Sequence, residues 1–198
     1  MKKYEITDIA HPDNSTLYRI KALIDIPGRG VKAGDLGGYI QSENNLSQDG
    51  NGWVSGNGRV TDNGRVIDNG SVTGYGLVAG YGLVTDNGCV TGNGCVTSYG
   101  RVTDNGLVTD NGCVTGYGRV FGDAMIKKPS DILTISSLGS RNDTLTVLYN
   151  KTCATGCFQG TIDEFLAAVK ETHRNNKYAK LYCKAINFAY EYFDWERV

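Results

Sequence analysis

The chain holds 198 residues, with 20 lysines and arginines against 21 acidic side chains and a formal net charge of −1. That balance gives no long-range field to gather nucleic acid, and no basic run offers a phosphate track, so direct nucleic-acid binding is not expected. No stretch approaches the roughly 20 apolar residues of a membrane-spanning helix, and Met1 to Asp8 has two lysines but no apolar signal region, which predicts a soluble, unsecreted, cytoplasmic protein.

Residues 1–36 carry no repeat and read as an N-terminal cap. Strand-like runs Lys3 to Thr7 and Thr16 to Ile26, split by His11-Pro12-Asp13-Asn14, predict a hairpin or small sheet. A cap is useful at the open end of a stacked β structure, which otherwise exposes unpaired backbone and apolar core. Ile40 and Leu46 already lie six residues apart, so the first irregular coil begins near Gly37, and an insertion before Trp53 resets the register.

From Val54 to Val120 twelve valines stand six residues apart, with Gly at the fourth position after each from Gly58 to Gly118. A period of six fits neither strand alternation nor a helical turn, so each valine heads a short unit that repeats by stacking. The Gly and the next Val point inward, and the D-N, G-N and G-Y pairs lie at bends, where Asn and Gly tolerate positive φ. Three units close a triangular coil of eighteen residues, and coils about 4.8 Å apart pair each strand in parallel with the next. Hexapeptides with one branched aliphatic and one small inward residue resemble the hexapeptide-repeat family, which implies the left-handed form. The chain departs from that family's usual pattern in having inward Gly rather than Ala, Ser or Val. The predicted fold class is mainly β: a left-handed, triangular, parallel β-helix of hexapeptide repeats over 37–132, followed by a small α+β domain at 133–198.

In that domain Leu133 to Ser136, Leu145 to Tyr149 and Cys153 to Phe158 read as strands. Thr161 and Glu164 form a capping box opening a helix through about His173, with Ile162, Phe165, Leu166 and Val169 as its apolar stripe. A second helix runs from about Lys177 to Phe193 with Tyr178, Leu181, Tyr182, Ile186, Phe188, Ala189 and Tyr192. Cys89, Cys95 and Cys113 lie inside a repeat that needs no staple, so the six cysteines read as reduced thiols, and their spacing fits no zinc site.

The segments Asp35-Leu-Gly-Gly-Tyr-Ile40, Asn45-Leu-Ser47 and Trp53-Val54 stand near one end. Gly139-Ser-Arg-Asn-Asp-Thr-Leu-Thr146, Gly156-Cys-Phe-Gln-Gly-Thr161 and Glu164-Phe165 stand near the other. Together they resemble a group of small hexapeptide-repeat proteins of bacteriophages, prophages and gut bacteria. The resemblance covers nearly the whole chain and implies a bacterial host cell, with a structural accessory or an inhibitor of bacterial immunity as the associated roles. It transfers no catalytic residue.

Stacking at eighteen residues converts the repeat into vertical columns. Tyr81, Tyr99 and Tyr117 share one corner, and Arg65, Leu83, Arg101 and Arg119 line the face after it. The ladder reading is mutual stabilisation of neighbouring coils. The binding reading gives Tyr81, Tyr99, Tyr117, Arg101 and Arg119 a planar or anionic ligand such as a nucleotide, or a protein partner. Asp68, Asp86 and Asp104 read as turn-bonding residues rather than a metal site. Hexapeptide-repeat acyltransferases use a histidine general base, yet no histidine lies between Ile40 and Ile132. His173 sits at a helix C-terminus, where a cation is favoured for dipole reasons alone. The expectation is a non-enzyme without cofactor or metal: a β-helical scaffold for protein binding or for self-association to a dimer or trimer, with a nucleotide-sequestering protein and an acyltransferase relative as the alternatives.

Overall fold

The structure is a computed structural model that describes residues 1–196. The chain divides into two compact units, Met1–Pro129 and the remainder from Ser130 on.

The first unit is a three-sided β-solenoid. Strands β1 (Tyr4–His11), β2 (Asn14–Ala22) and β3 (Leu36–Ile40) precede thirteen two-residue strands, β4 to β16, which recur every six residues from Trp53–Val54 to Met125–Ile126. One face is the parallel stack β3-β5-β8-β11-β14, extended by antiparallel pairing through β2 to β1; the other two faces are β4-β7-β10-β13-β16 and β6-β9-β12-β15. Partners are eighteen residues apart throughout the repeat, as in Arg65↔Leu83, Cys95↔Cys113 and Val102↔Val120. The N-terminal hairpin is therefore continuous with a solenoid face rather than a separate lid.

All twelve repeat valines have no exposure at all and form one dry column of branched side chains. Burying each contributes on the order of 1.5–3 kcal/mol. The inward glycines answer a steric demand. A Cβ built on Gly58 through Gly106 would lie only 2.6–3.0 Å from a carbonyl oxygen of the adjacent coil, 2.6 Å from Val102 O in the case of Gly88. These are backbone atoms held by the ladder, so Ala has no room, and the departure from Ala or Ser at this position follows from coil spacing.

The bends differ from the sequence expectation in one respect. Positive φ falls on the second residue after each valine, including Asp62, Asp68, Asp86, Ser98, Asp104 and Asp110 besides Gly74, Gly80 and Gly92, and never on the Asn or Tyr that follows. Each turn is closed by a bond such as Gly64 N to Thr61 O at 2.9 Å, so the positive φ sits at the first central position of a hairpin-type turn. Asp supports it because a short polar side chain tolerates that region.

Two buried polar residues fasten the irregular first coil. Asn45 accepts from Gln41 N and Ser42 N and donates through Nδ2 to Asp62 O and Gly64 O, taking the place of a missing ladder strand. Lys3 donates through Nζ to the carbonyls of Asp49, Gly50 and Gly52, gathering the insertion before Trp53. At the far end a 3₁₀ turn, Pro129–Asp131, redirects the chain. Ile132, although six residues after Ile126, opens an antiparallel strand instead of another coil.

The second unit is an antiparallel meander of β17 (Ile132–Leu138), β18 (Asp143–Leu148), β19 (Thr152–Thr155) and β20 (Phe158–Thr161), with helices α1 (Ile162–His173) and α2 (Lys177–Tyr192). The single strand expected over Cys153 to Phe158 is two, because Gly156 at φ 53° turns the chain between Thr155 and Phe158. Thr161 and Glu164 make the capping box: Glu164 N donates to Thr161 Oγ1 at 3.3 Å and Thr161 N donates to Glu164 Oε2 at 2.8 Å. Leu145, Val147, Ile162, Phe165, Val169, Tyr182 and Ile186 form the core. Of the apolar residues on α2, Leu181, Phe188 and Tyr192 stay exposed.

Gly88→Ala forces a methyl group against Val102 O and is expected to destabilise the protein by about 1–3 kcal/mol, the usual cost of overpacking. A denaturant titration that finds Gly88→Ala as stable as the parent would contradict the steric account.

Candidate functional site

The solenoid turns sequence periodicity into straight rows of identical side chains. Tyr81, Tyr99 and Tyr117 stack with ring centroids 4.9 and 4.8 Å apart and planes within 3–4° of parallel. Each ring remains about half exposed, at 56%, 46% and 57%. Backbone bonds fix them from beneath: Tyr81 N donates to Ser98 O at 2.6 Å and Tyr99 N to Gly116 O at 2.8 Å, one bond per coil.

That spacing limits what the ladder can hold. A planar group between two rings needs a van der Waals contact of about 3.5 Å on each side, roughly 7 Å in all. The gaps of 4.8–4.9 Å are closed to it. A planar ligand is left with the edges of the rings and the outer faces of Tyr81 and Tyr117.

Two residues along the chain from these tyrosines, β6, β9, β12 and β15 place Arg65, Leu83, Arg101 and Arg119 in register on one face. Arg65 and Arg101 are exposed, and Arg119 is half-buried. Among the described residues neither Arg65 nor Arg101 forms an ion pair, in contrast to Lys2 with Glu43, Lys21 with Glu5 and Lys32 with Asp25. The face thus presents cationic side chains beside an aromatic row.

The next corner carries a ladder that sequence reading passed over. Asn51, Asn69, Asn87 and Asn105 each donate through Nδ2 to the side-chain oxygen eighteen residues on, at 3.2, 3.3, 3.2 and 2.9 Å, ending on Asp123. A primary amide has both donor and acceptor, so it can repeat indefinitely along a stack. The signal was present in the equal spacing of the asparagines. At the neighbouring position Asp68 accepts from Thr85 Oγ1 of the next coil, and Asp104 accepts from Gly122 N at 3.2 Å. The acidic side chains bond across coils and also within their own bend, where Thr61 Oγ1 donates to Asp62 Oδ2 at 3.1 Å and Thr103 Oγ1 to Asp104 Oδ2 at 3.4 Å. Among the described residues no group of three or more His, Cys, Asp or Glu is disposed to hold a metal ion.

On a third face Cys95 Sγ and Cys113 Sγ touch at 2.6 Å, both as free thiols. Burial, then the adjacent Cys113 thiol, pushes the Cys95 thiol up to about 12. His173 lies at the end of α1 with its ring 5.8 Å from those of Tyr178 and Tyr182, far in sequence from any tyrosine or arginine of the columns.

No family model matches the chain, and neither a curated protein nor a solved structure matches it. Among the described residues no helix is long and apolar enough to cross a membrane.

Tyr99→Ala removes two ring contacts, whereas Tyr117→Ala removes one. At about 0.5–1.5 kcal/mol per aromatic pair, Tyr99→Ala should cost about twice as much stability as Tyr117→Ala. Tyr75→Ala, at a corner where the exposed ring has no ring contact among the described residues, should cost close to nothing. Equal losses in all three variants, measured by chemical unfolding, would show that the stack contributes nothing.

Proposed function

We propose that the chain is a non-catalytic β-solenoid scaffold whose regular outer faces bind a protein. The observation that carries this reading is the exposed Tyr81–Tyr99–Tyr117 ladder beside Arg65, Arg101 and Arg119. Tyrosine and arginine are the side chains that most often anchor interfaces. Rings already immobilised by stacking lose little further freedom when a partner covers them, which favours binding. The guanidinium groups of Arg65 and Arg101, which form no ion pair among the described residues, suit a partner that offers carboxylates beside an apolar or planar surface.

The resemblance of the end motifs to phage and prophage proteins supports a bacterial protein as that partner, a component of a host defence system in the cytoplasm being the role we infer. Self-association to a dimer or trimer is a second use within the same reading, supported by the exposed apolar residues Leu181, Phe188 and Tyr192 on α2.

Immobilised full-length chain is expected to capture a defined protein from the lysate of a bacterial host, and Arg101→Glu, an exposed substitution that should leave the melting temperature unchanged, to lose it. Capture indifferent to Arg101→Glu and to Tyr81→Ala would remove these faces from the function. Nucleotides and coenzyme A should leave the melting temperature unmoved. A nucleotide-dependent rise abolished by Tyr99→Ala would instead establish sequestration, and acetyl transfer lost in His173→Ala would establish an acyltransferase.

A further inference from the structure

Register alone brings Cys95 and Cys113 together. They are paired residues of the adjacent parallel strands β11 (Cys95–Val96) and β14 (Cys113–Val114). Val96 and Val114 fill the core, and successive strand residues point to opposite sides, so both thiols face outward from the same column. Adjacent strands lie about 4.8 Å apart, inside the roughly 4.4–6.8 Å that separates the α carbons of a disulfide. The two sulfurs stand 2.6 Å apart, and both residues are half-buried. Joining them needs side-chain movement and no shift of the backbone. Cys89 has no such neighbour, because Ser71 and Leu107 flank it in its own stack. Leu77 fills the Cys95 column one coil earlier, so an apolar outward side chain does not require sulfur.

The pair also marks the end of a stack. β14 is the last strand of its face, and the position eighteen residues after Cys113 is Asp131, in the 3₁₀ turn that redirects the chain. In the ladder β14 is therefore joined to β11 alone. The bonds across that boundary are Cys95 N to Gly112 O and Thr97 N to Val114 O, both 2.9 Å, and Tyr99 N to Gly116 O at 2.8 Å. The ends of a structure open more readily than its middle. A link between the sulfurs closes a loop of about eighteen residues over this boundary and limits how far the two coils separate.

We propose that Cys95 and Cys113 are the site of a reversible intramolecular disulfide, formed by exchange with small organic disulfides, that fastens the terminal coil of this solenoid face. The Cys113 thiolate attacks one sulfur of the small disulfide, whose S–S bond breaks and whose second sulfur leaves as a thiolate. Cys95 then attacks Cys113 Sγ. The mixed S–S bond breaks, the protein S–S bond forms, and the second small thiolate departs. Each departing thiolate takes up a proton equivalent to the one that a cysteine gave up, so the cysteine pair is oxidised and the small disulfide is reduced to two thiols. Burial and then the neighbouring thiol keep Cys95 protonated in the free pair, and capping Cys113 removes the second of these influences. An excess of small thiol reverses both steps. The inference does not depend on the binding role of the tyrosine and arginine columns.

The test is incubation of the native full-length chain with an excess of glutathione disulfide, followed by blocking of free thiols, denaturation and tryptic cleavage. Cutting after Arg65, Arg101 and Arg119 leaves Cys95 in residues 66–101 and Cys113 in residues 102–119, so the bond is read by mass spectrometry as a joined pair of peptides that reduced glutathione separates. Cys95→Ser and Cys113→Ser should each abolish the joined pair. Cys89→Ser, which removes the other cysteine of residues 66–101, should leave it intact. Serine suits an outward strand position of the repeat, as Ser71 of β7 shows. Hydrogen exchange is the second readout. The amides of Cys95, Thr97 and Tyr99 should exchange about tenfold more slowly after oxidation, and Cys113→Ser treated in the same way should show no such change. A joined pair that forms only when the chain is first unfolded would overturn the proposal. So would a bond that forms in the native chain yet leaves these amides exchanging as fast as before, or faster.

Discussion

Glycine and valine carbonyl meet across every coil boundary of the solenoid, with no space for a methyl group between them. That contact fixes how closely the coils approach, and the approach brings the ladder N–H groups to carbonyls seventeen residues on, as in Thr61 N to Val78 O and Arg65 N to Gly82 O, both 2.9 Å. Valine then fills the axis of the repeat, and Ile40, Leu46 and Ile126 take the same inward position in the end coils, each fully buried. Turn, strand and core are thus set by one spacing.

The outer surface inherits the same regularity. Asparagines stand at hydrogen-bonding distance from asparagines and tyrosines at stacking distance from tyrosines, because nothing in the coil allows them to drift. Such ladders stabilise the stack, and they also present rigid chemistry at a regular interval. The closed tyrosine spacing separates two functions that sequence alone leaves together: it denies a planar molecule entry between the rings, yet leaves a continuous aromatic edge flanked by arginine on which a protein can rest. The second unit follows different rules, with a packed core of its own.

Much of this was legible in the sequence. The six-residue valine spacing yields the coil, and the eighteen-residue column arithmetic places Tyr81 above Tyr99 and Arg101 above Arg119 because a parallel in-register stack has no freedom to do otherwise. What escaped were features set by geometry within one turn or by distant segments. Positive φ falls on Asp62 and its equivalents rather than on the following Asn, a choice made by turn handedness that residue tolerance does not decide. The break between β19 and β20 rests on one glycine, Gly156, inside an otherwise strand-like run. Lys3 and Asn45 were equally hidden, because their value lies in carbonyls left unpaired by an irregular first coil.

The account stands on the in-register stack, and a distance along it is the direct measure. Spin labels carried on non-cysteine side chains at positions 51 and 123, which share a corner four coils apart, should give a narrow distribution centred near 19 Å, four coil spacings of about 4.8 Å. A broad distribution, or one centred beyond about 30 Å, would mean that these residues do not share a column and that no ladder on this surface is as described.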